Sequence, residues 1–397
     1  MGTDIAAAPP QATPPVGQRL VYDGRLGALY RIFFENLLFG IITLGIYRFW
    51  GRTRYRRYLW SHTSYDGDRF EYTGRGGELF RGFLIAIAIF LPLIIGVGAL
   101  QAILIPSRPG LFFAIAAPVY LALMVLFFAA RYTALRYRLT RTRWRGIRGG
   151  LAGSAINFAL RSIGYGILSL LTLYQFVPFA SVRLWRYRLN NLFFGTAPAS
   201  FAGRGRDLYP RYLASFIISL GAGAVIALVI FLLLRHDIAS LSVGADVFDA
   251  NAGDAGQAET DEAPASPMDP ARYASIERLI FAGFAGYIVW ALVGLVVYLW
   301  YVAFALRYIT GGTRLAGLSV TASVTAGKLF RLMVGNLLLY VFTLGFGYPI
   351  VIHRLWRFGA NNFTVHGEID GATIAQSQLE PPRTGEGWLE VLDPGFI

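Results

Sequence analysis

Thr43–Tyr58 reads TLGIYRFWGRTRYRRY, opening as the end of an apolar run and closing in arginine and tyrosine. The passage recurs as TLYQFVPFASVRLWRY at 172–187 and as TLGFGYPIVIHRLWRF at 343–358. Set on Thr43, Thr172 and Thr343 without gaps, the copies share Leu44, Leu173 and Leu344, then Arg54, Arg183 and Arg354, then Arg57, Arg186 and Arg357. Tyr58, Tyr187 and Phe358 follow, and Asn36 and Asn336 match seven residues upstream of the threonine. A second motif precedes the longer apolar stretches: VYDGRLGALYRIF at 21–33, EYTGRGGELFRGF at 71–83 and SFAGRGRDLYPRY at 200–212. In each, an aromatic residue stands two before Gly24, Gly74 or Gly203, and arginine follows the glycine. That layout reads as an extended stretch, a turn at glycine, and a helix entering a membrane interface. SYDGDRFEYTG at 64–74 fits a hairpin around Asp66-Gly67, so short cytoplasmic strands are expected.

Composition places this pattern in a membrane. The 397 residues are 55% hydrophobic and 15% charged, with mean hydropathy +0.50, whereas soluble domains are about a quarter charged. The net charge is +13, nearly all of it arginine, because Lys328 is the only lysine. In a soluble chain such a charge points to nucleic acid. In a membrane chain it reads as arginine held at the cytoplasmic face, with no nucleic-acid partner. The absence of cysteine excludes disulfides, thiol nucleophiles and cysteine metal sites. His62, His236, His353 and His366 show no metal-ligand spacing, and no zincin, nucleophile-elbow, P-loop or dinucleotide motif occurs. The expectation is a protein without cofactor or metal that is not an enzyme. Residues 1–18 carry neither a basic region nor an apolar core and read as a disordered tail rather than a signal peptide.

The fold class expected is an all-α polytopic membrane protein with seven apolar helical segments. Four are long and free of charge: Gly82–Ile105, Leu111–Ala130, Leu213–Leu234 and Leu279–Leu306. Pro92 and Pro118 should kink the first two. The other three, Ile32–Tyr47, Ile163–Val182 and Leu332–Ile352, run into the basic passages. Residues 48–81 and 131–161 hold eight arginines each and 183–211 six. Seven full crossings put successive basic loops on opposite sides, against the positive-inside tendency. Four crossings with three embedded or re-entrant segments keep every basic cluster cytoplasmic, with each break at the shared Thr-Leu. Both topologies remain open at this point. The modules run 19–70, 138–195 and 309–367, with membrane hairpins at 71–137 and 196–308 between them. An acidic loop at 237–270 reads as disordered and outside the cytoplasm, and 368–397 as a C-terminal tail. The small residues Gly221, Gly223, Gly283 and Gly286 suggest close helix packing.

NLLFGIITLGIYRFWGRTRYRRY at 36–58, RTRWRGIR at 141–148 and the Asp66-Gly67 pair resemble the YjgN-like family of bacterial inner-membrane proteins, over about 19–367. The resemblance implies a multi-pass protein of the bacterial inner membrane. It implies no cofactor or catalytic residue. The second copy, with Tyr174-Gln175 in place of Gly-Ile, departs most from the pattern, so a shared site is expected to be weakest there.

The arginine pairs three apart share a helix face, and a guanidinium suits phosphate bidentately. Arg54, Arg57, Arg183, Arg186, Arg354 and Arg357 are therefore candidates to hold anionic lipid or a phosphorylated ligand; the alternative is that they are snorkelling anchors. Glu35, Asn36 and Asn336 are candidates for an intramembrane polar site, with Asn36 as partner of Glu35. The alternative for Glu35 is a surface ion pair with Arg31. Two functions follow. A transporter or channel-like protein would place its site at the broken segments. A non-transporting protein that binds anionic lipid, or an envelope scaffold, would use the arginine faces. Membrane lipids are the expected partners; the small-molecule substrate and the oligomeric state stay open.

Overall fold

The computed structural model describes residues 17–254, 270–367 and 374–377. Residues 1–16 of the expected tail, 255–269 of the acidic loop and most of the C-terminal tail lie outside these residues. In chain order the elements are β1 (Gln18–Arg19), β2 (Val21–Tyr22), α1 (Leu26–Ile42), α2 (Arg48–Ser61), β3 (Thr63–Tyr65), β4 (Asp68–Tyr72), α3 (Gly76–Leu104) and α4 (Pro109–Arg141). There follow β5 (Thr142–Trp144), β6 (Ile147–Leu151), α5 (Ala155–Leu171), α6 (Val177–Asn190), β7 (Leu192–Phe194), β8 (Ala197–Phe201) and α7 (Gly205–Asp254). The last are α8 (Pro270–Gly311), β9 (Thr313–Leu315), β10 (Leu318–Ala322), α9 (Ala326–Phe342), α10 (Tyr348–Asn362) and β11 (Phe363–His366).

The strands form one antiparallel sheet in the order β1-β11-β10-β9-β8-β7-β6-β5-β4-β3-β2. Only Leu20 separates the two end strands in sequence. One N-terminal segment therefore pairs with β11 through Gln18–Val365 and Arg19–Thr364, and with β3 through Val21–Ser64 and Tyr22–Thr63. The sheet closes on itself, which removes its edges. Its interior is filled: Tyr65, Trp144 and Leu318 are buried together, with Leu20, Phe70, Phe194 and Val365 packed against them. These side chains come from β3, β4, β5, β7, β10 and β11, so the ring is a packed core, as in small barrels. Asp66-Gly67, Arg145-Gly146 and Ala316-Gly317 turn its hairpins with φ positive at both residues, the geometry that matches strand twist.

An all-α class is thus corrected to helices carried on a sheet. Among the described residues no strand exceeds five residues, too short for period-two alternation to stand out. Only the Asp66-Gly67 hairpin and the aromatic-X-Gly motif announced it. The glycines of that motif do not turn the chain through positive φ. A Cβ on Gly74 or Gly203 would fall within 2.6 Å of Tyr72 or 2.3 Å of Phe201, so the aromatic ring two residues earlier lies across the glycine.

Paired strands flank every helical hairpin. β2 and β3 hold the ends of α1–α2, β4 and β5 those of α3–α4, and β6 and β7 those of α5–α6. β8 and β9 hold α7–α8, and β10 and β11 hold α9–α10. Three hairpins are short and break at the shared threonine. Thr43 Oγ1 donates to the Phe39 carbonyl (2.7 Å) and accepts the Tyr47 N–H (2.9 Å). Thr172 and Thr343 do the same with Leu168 and Phe176, and with Leu339 and Gly347. The next residue, Leu44, Leu173 or Leu344, is left-handed at φ 49, 48 and 50°. Gly45, Tyr174 and Gly345 close each helix back to the carbonyls of Gly40, Ser169 and Tyr340, a Schellman closure with leucine in the usual glycine position. Those leucines are 94, 77 and 88% exposed.

Four helices, α3, α4, α8 and Gly205–Ala239 of α7, are long and apolar enough to cross a bilayer. Seven such segments are not found among the described residues: in each of the three shorter stretches the apolar helix ends at the shared threonine and a second, basic helix follows. Pro92 and Pro118 lie within unbroken α3 and α4. The acidic segment expected as loop from 237 begins instead as the helical continuation of α7 to Asp254. The described residues within 1–209 and 304–397 form one compact unit and those within 210–303 another. Within the second, Trp290 Nε1 donates to the Ser219 carbonyl (2.9 Å) over Gly223, and Gly286 meets Ile230. Gly221 and Gly283 face open space, so only half of the expected close-packing glycines serve that role.

Candidate functional site: two arginine grooves

The return helices of the first two short hairpins end in an arginine–tyrosine pair that ties down both neighbouring links. Arg57 donates to the Gly74 carbonyl (2.8 Å) and Arg186 to that of Gly203. Tyr58 accepts the Arg25 N–H at 2.6 Å and donates to its carbonyl at 3.1 Å, and Tyr187 does the same with Ser154 at 3.0 and 2.8 Å. The long hairpins use the same device. Arg307 donates to the Val324 carbonyl (3.1 Å), Arg136 to that of Gly153, and Tyr308 bridges the backbone of Arg204. Sequence comparison of the three basic passages missed the long-hairpin members. The signal was present: Arg136-Tyr137 and Arg307-Tyr308 stand six residues before their strands, as Arg57-Tyr58 does.

Two grooves open beside these pairs. The first, of about 450 Å³, lies between α2 and the start of α3 and includes Arg54, Arg57, Arg75 and Arg81, with Tyr47, Trp50 and Glu78. The second, of about 710 Å³, lies between α6 and the start of α7 and includes Arg183, Arg186, Arg204 and Arg206, with Phe176, Phe179 and Asp207. They are the same place in two copies, for Arg54/Arg183, Arg57/Arg186, Arg75/Arg204 and Glu78/Asp207 correspond in the alignment on Thr43 and Thr172. Each sits at the N-terminus of a long apolar helix, whose positive dipole end favours an anion. The groove carboxylates are already engaged: Glu78 with Tyr137 and Arg141, Asp207 with Tyr308.

The structure brings Arg54 and Arg57 into the first groove and Arg183 and Arg186 into the second. Arg354 and Arg357 join neither. Arg354 instead lies against Gly335, 2.7 Å from where a Cβ would stand, and no long helix follows the third hairpin among the described residues. Glu35 pairs with Arg31 (3.0 Å) and with Arg54. Asn36 is not its partner: Asn36 Nδ2 donates to the Gly51 carbonyl at 3.3 Å. The Oδ1 atoms of Asn36 and Asn336 are buried without a hydrogen-bond partner among the described residues. None of Glu35, Asn36 and Asn336 lines either groove.

A family described as bacterial protein of unknown function, DUF898, matches residues 17–391. Among curated proteins, the chain is similar to one named inner membrane protein YjgN from Escherichia coli O157:H7, 29% identical over 128 residues, 32% of this chain and 29% of that protein. A protein of the same name from Salmonella typhimurium strain LT2 is 35% identical over 72 residues, 18% of each chain. The matched region thus spans less than a third of each relative's length. No solved structure matches the chain. With relatives of that name and four helices able to cross a bilayer, the chain is an integral inner-membrane protein.

Proposed function

Because the chain belongs to the DUF898 family of bacterial proteins of unknown function, we propose an activity from its geometry: it binds anionic phospholipid headgroups in the two arginine grooves and acts by binding, not by catalysis. The observation that carries this reading is the second groove, where four arginines surround the first turn of α7 beside Phe176 and Phe179. Arginine forks take phosphate oxygens, and the rings offer an apolar wall to the glycerol and upper acyl chain. The proposed topology is multi-pass. Four helices cross, the three short hairpins enter the bilayer and return, and the ring stands at the cytoplasmic face. Each outgoing helix of a short hairpin has 17 residues, a length of about 26 Å, against a hydrocarbon core of about 30 Å. The exposed leucine tips then meet acyl chains, and the internally repeated module is the membrane-embedded unit.

The test is lipid retention by the full chain in mild detergent, read by native mass spectrometry after exposure to vesicles of phosphatidylglycerol or of phosphatidylcholine. Retained phosphatidylglycerol that falls in an Arg183→Gln, Arg206→Gln double variant supports the reading. Equal retention of both lipids, unchanged by the substitutions, removes it. A second reading, transport, draws on the three broken hairpins, the place where transporters hold substrate. Solute uptake into proteoliposomes that is lost in Thr343→Val would favour it over binding alone.

A further inference from the structure

The two grooves match at Arg54/Arg183, Arg57/Arg186, Arg75/Arg204 and Glu78/Asp207, with Arg206 in place of Gly77 and Pro210 in place of Arg81, and one further carboxylate holds an arginine of the first groove alone. In the first hairpin Glu35 reaches across to Arg54. The aligned position of the second hairpin is Gly164. There Arg183 stacks on the rings of Tyr165 and Phe176, 5.6 and 5.3 Å from their centres. Among the described residues no carboxylate pairs with Arg183, Arg186, Arg204 or Arg206. A Cβ placed on Gly164 would meet nothing within 4 Å. Space for a side chain exists, and the chain leaves it open. In the third hairpin the equivalent Gly335 is in contact with Arg354 and has no such room.

A carboxylate that holds a guanidinium competes with a phosphate for the same donors. We infer that Glu35 is a built-in competitor which keeps the α2–α3 groove weak, and that its absence at Gly164 makes the α6–α7 groove the main site for the phosphodiester of an anionic phospholipid. This reverses the expectation that the second copy, the most divergent in sequence, has the weakest site. The divergence that matters for charge is loss of the acid, and it favours an anion. The inference rests on the headgroup reading above and adds which groove is occupied and why.

The experiment moves the carboxylate between grooves. Gly164→Glu places it against Arg183, Gly164→Gln supplies the same bulk without charge, and Glu35→Gln removes the native competitor. Each full-length variant is exposed to phosphatidylglycerol vesicles, and retained lipid is counted by native mass spectrometry, with melting temperature as a check of folding. The expected result is a drop of roughly two- to five-fold for Gly164→Glu, the range of a partly exposed ion pair, with Gly164→Gln unchanged. Glu35→Gln should raise retention by a similar factor. If Gly164→Gln lowers retention as much as Gly164→Glu, bulk and not charge is responsible and the inference falls. If no carboxylate change matters while Arg183→Gln and Arg206→Gln still lower retention, the inference falls and the headgroup reading stands. If the arginine variants also have no effect, the headgroup reading itself is lost. Displacement of bound lipid by millimolar inorganic phosphate alone would assign the site to a soluble phosphate and overturn the lipid source.

Discussion

Tyr58 and Tyr187 each use one hydroxyl to satisfy both the N–H and the carbonyl of a residue at the start of their own hairpin, and Tyr308 accepts the Arg204 N–H while its single proton is shared between the Arg204 carbonyl and Asp207. Helix starts leave amides without partners, and here a tyrosine from the returning helix supplies the missing bonds. Tyr187→Phe keeps the ring and removes both hydrogen bonds. It should cost about 1–2 kcal/mol, read as a lower melting temperature of the detergent-solubilised chain. The hinge threonines make a second test. Thr343→Val preserves shape but orphans the Gly347 N–H and should cost about 1–2 kcal/mol. A third concerns pH. The side-chain hydrogen bond from Arg69 holds the Asp23 carboxyl below its ordinary value. A depressed folded-state pKa means that this contribution is present above the ordinary carboxylate range and is lost as pH falls through the folded value. Wild type should therefore lose more stability than Asp23→Asn on acidification below that range, measured by melting temperature against pH.

At the scale of elements, the hairpins show what a linear sequence conveys. The four long helices were legible from length and hydropathy alone. So was the position of each hinge, because Thr-Leu interrupts an apolar run where nothing else does. The ring was not legible as a ring. Its strands are two to five residues long and pair between segments as distant as Gln18 and Val365, so no local window contains the partner. The grooves were half legible. The arginine passages named Arg54, Arg57, Arg183 and Arg186, while Arg75 and Arg204 come from the links after the strands, Arg81 and Arg206 from the starts of α3 and α7, and all four meet them only in three dimensions. Glu35 stood out because it is acidic in an apolar stretch, yet its engagement by Arg54 depends on the returning helix. The proposed topology makes an element-level prediction. Single cysteines at Asp66, Arg145, Thr196 and Ala316, in a chain with none of its own, should all react with a membrane-impermeant thiol reagent only from the cytoplasmic side. Labelling of any of them from the periplasm refutes the arrangement.

Across the whole molecule, one short segment joins first and last residues of the fold. β1 and β2 occupy the place that a continuous hairpin partner of β11 and β3 would fill. Pairing Arg19→Cys with Thr364→Cys, which stand opposite one another, should lock this closure and stabilise the oxidised protein by about 2–4 kcal/mol. Melting with and without reductant reads the difference. The C-terminal residues Ala375–Ser377 rest on the same ring, with the Arg148 guanidinium donating to the Ser377 carbonyl at 2.8 Å and the Ala375 N–H to Thr196 Oγ1 at 3.3 Å. The split closure also dictates an order of birth. The amino-terminal strand leaves the ribosome first, but its β11 neighbour arrives only after the five helical hairpins of the described residues have been synthesised. Until then the nascent chain carries two unsatisfied sheet borders, which are sticky by nature. A prematurely terminated product would keep them, a standing template for pairing with other chains that the seam removes from a finished copy.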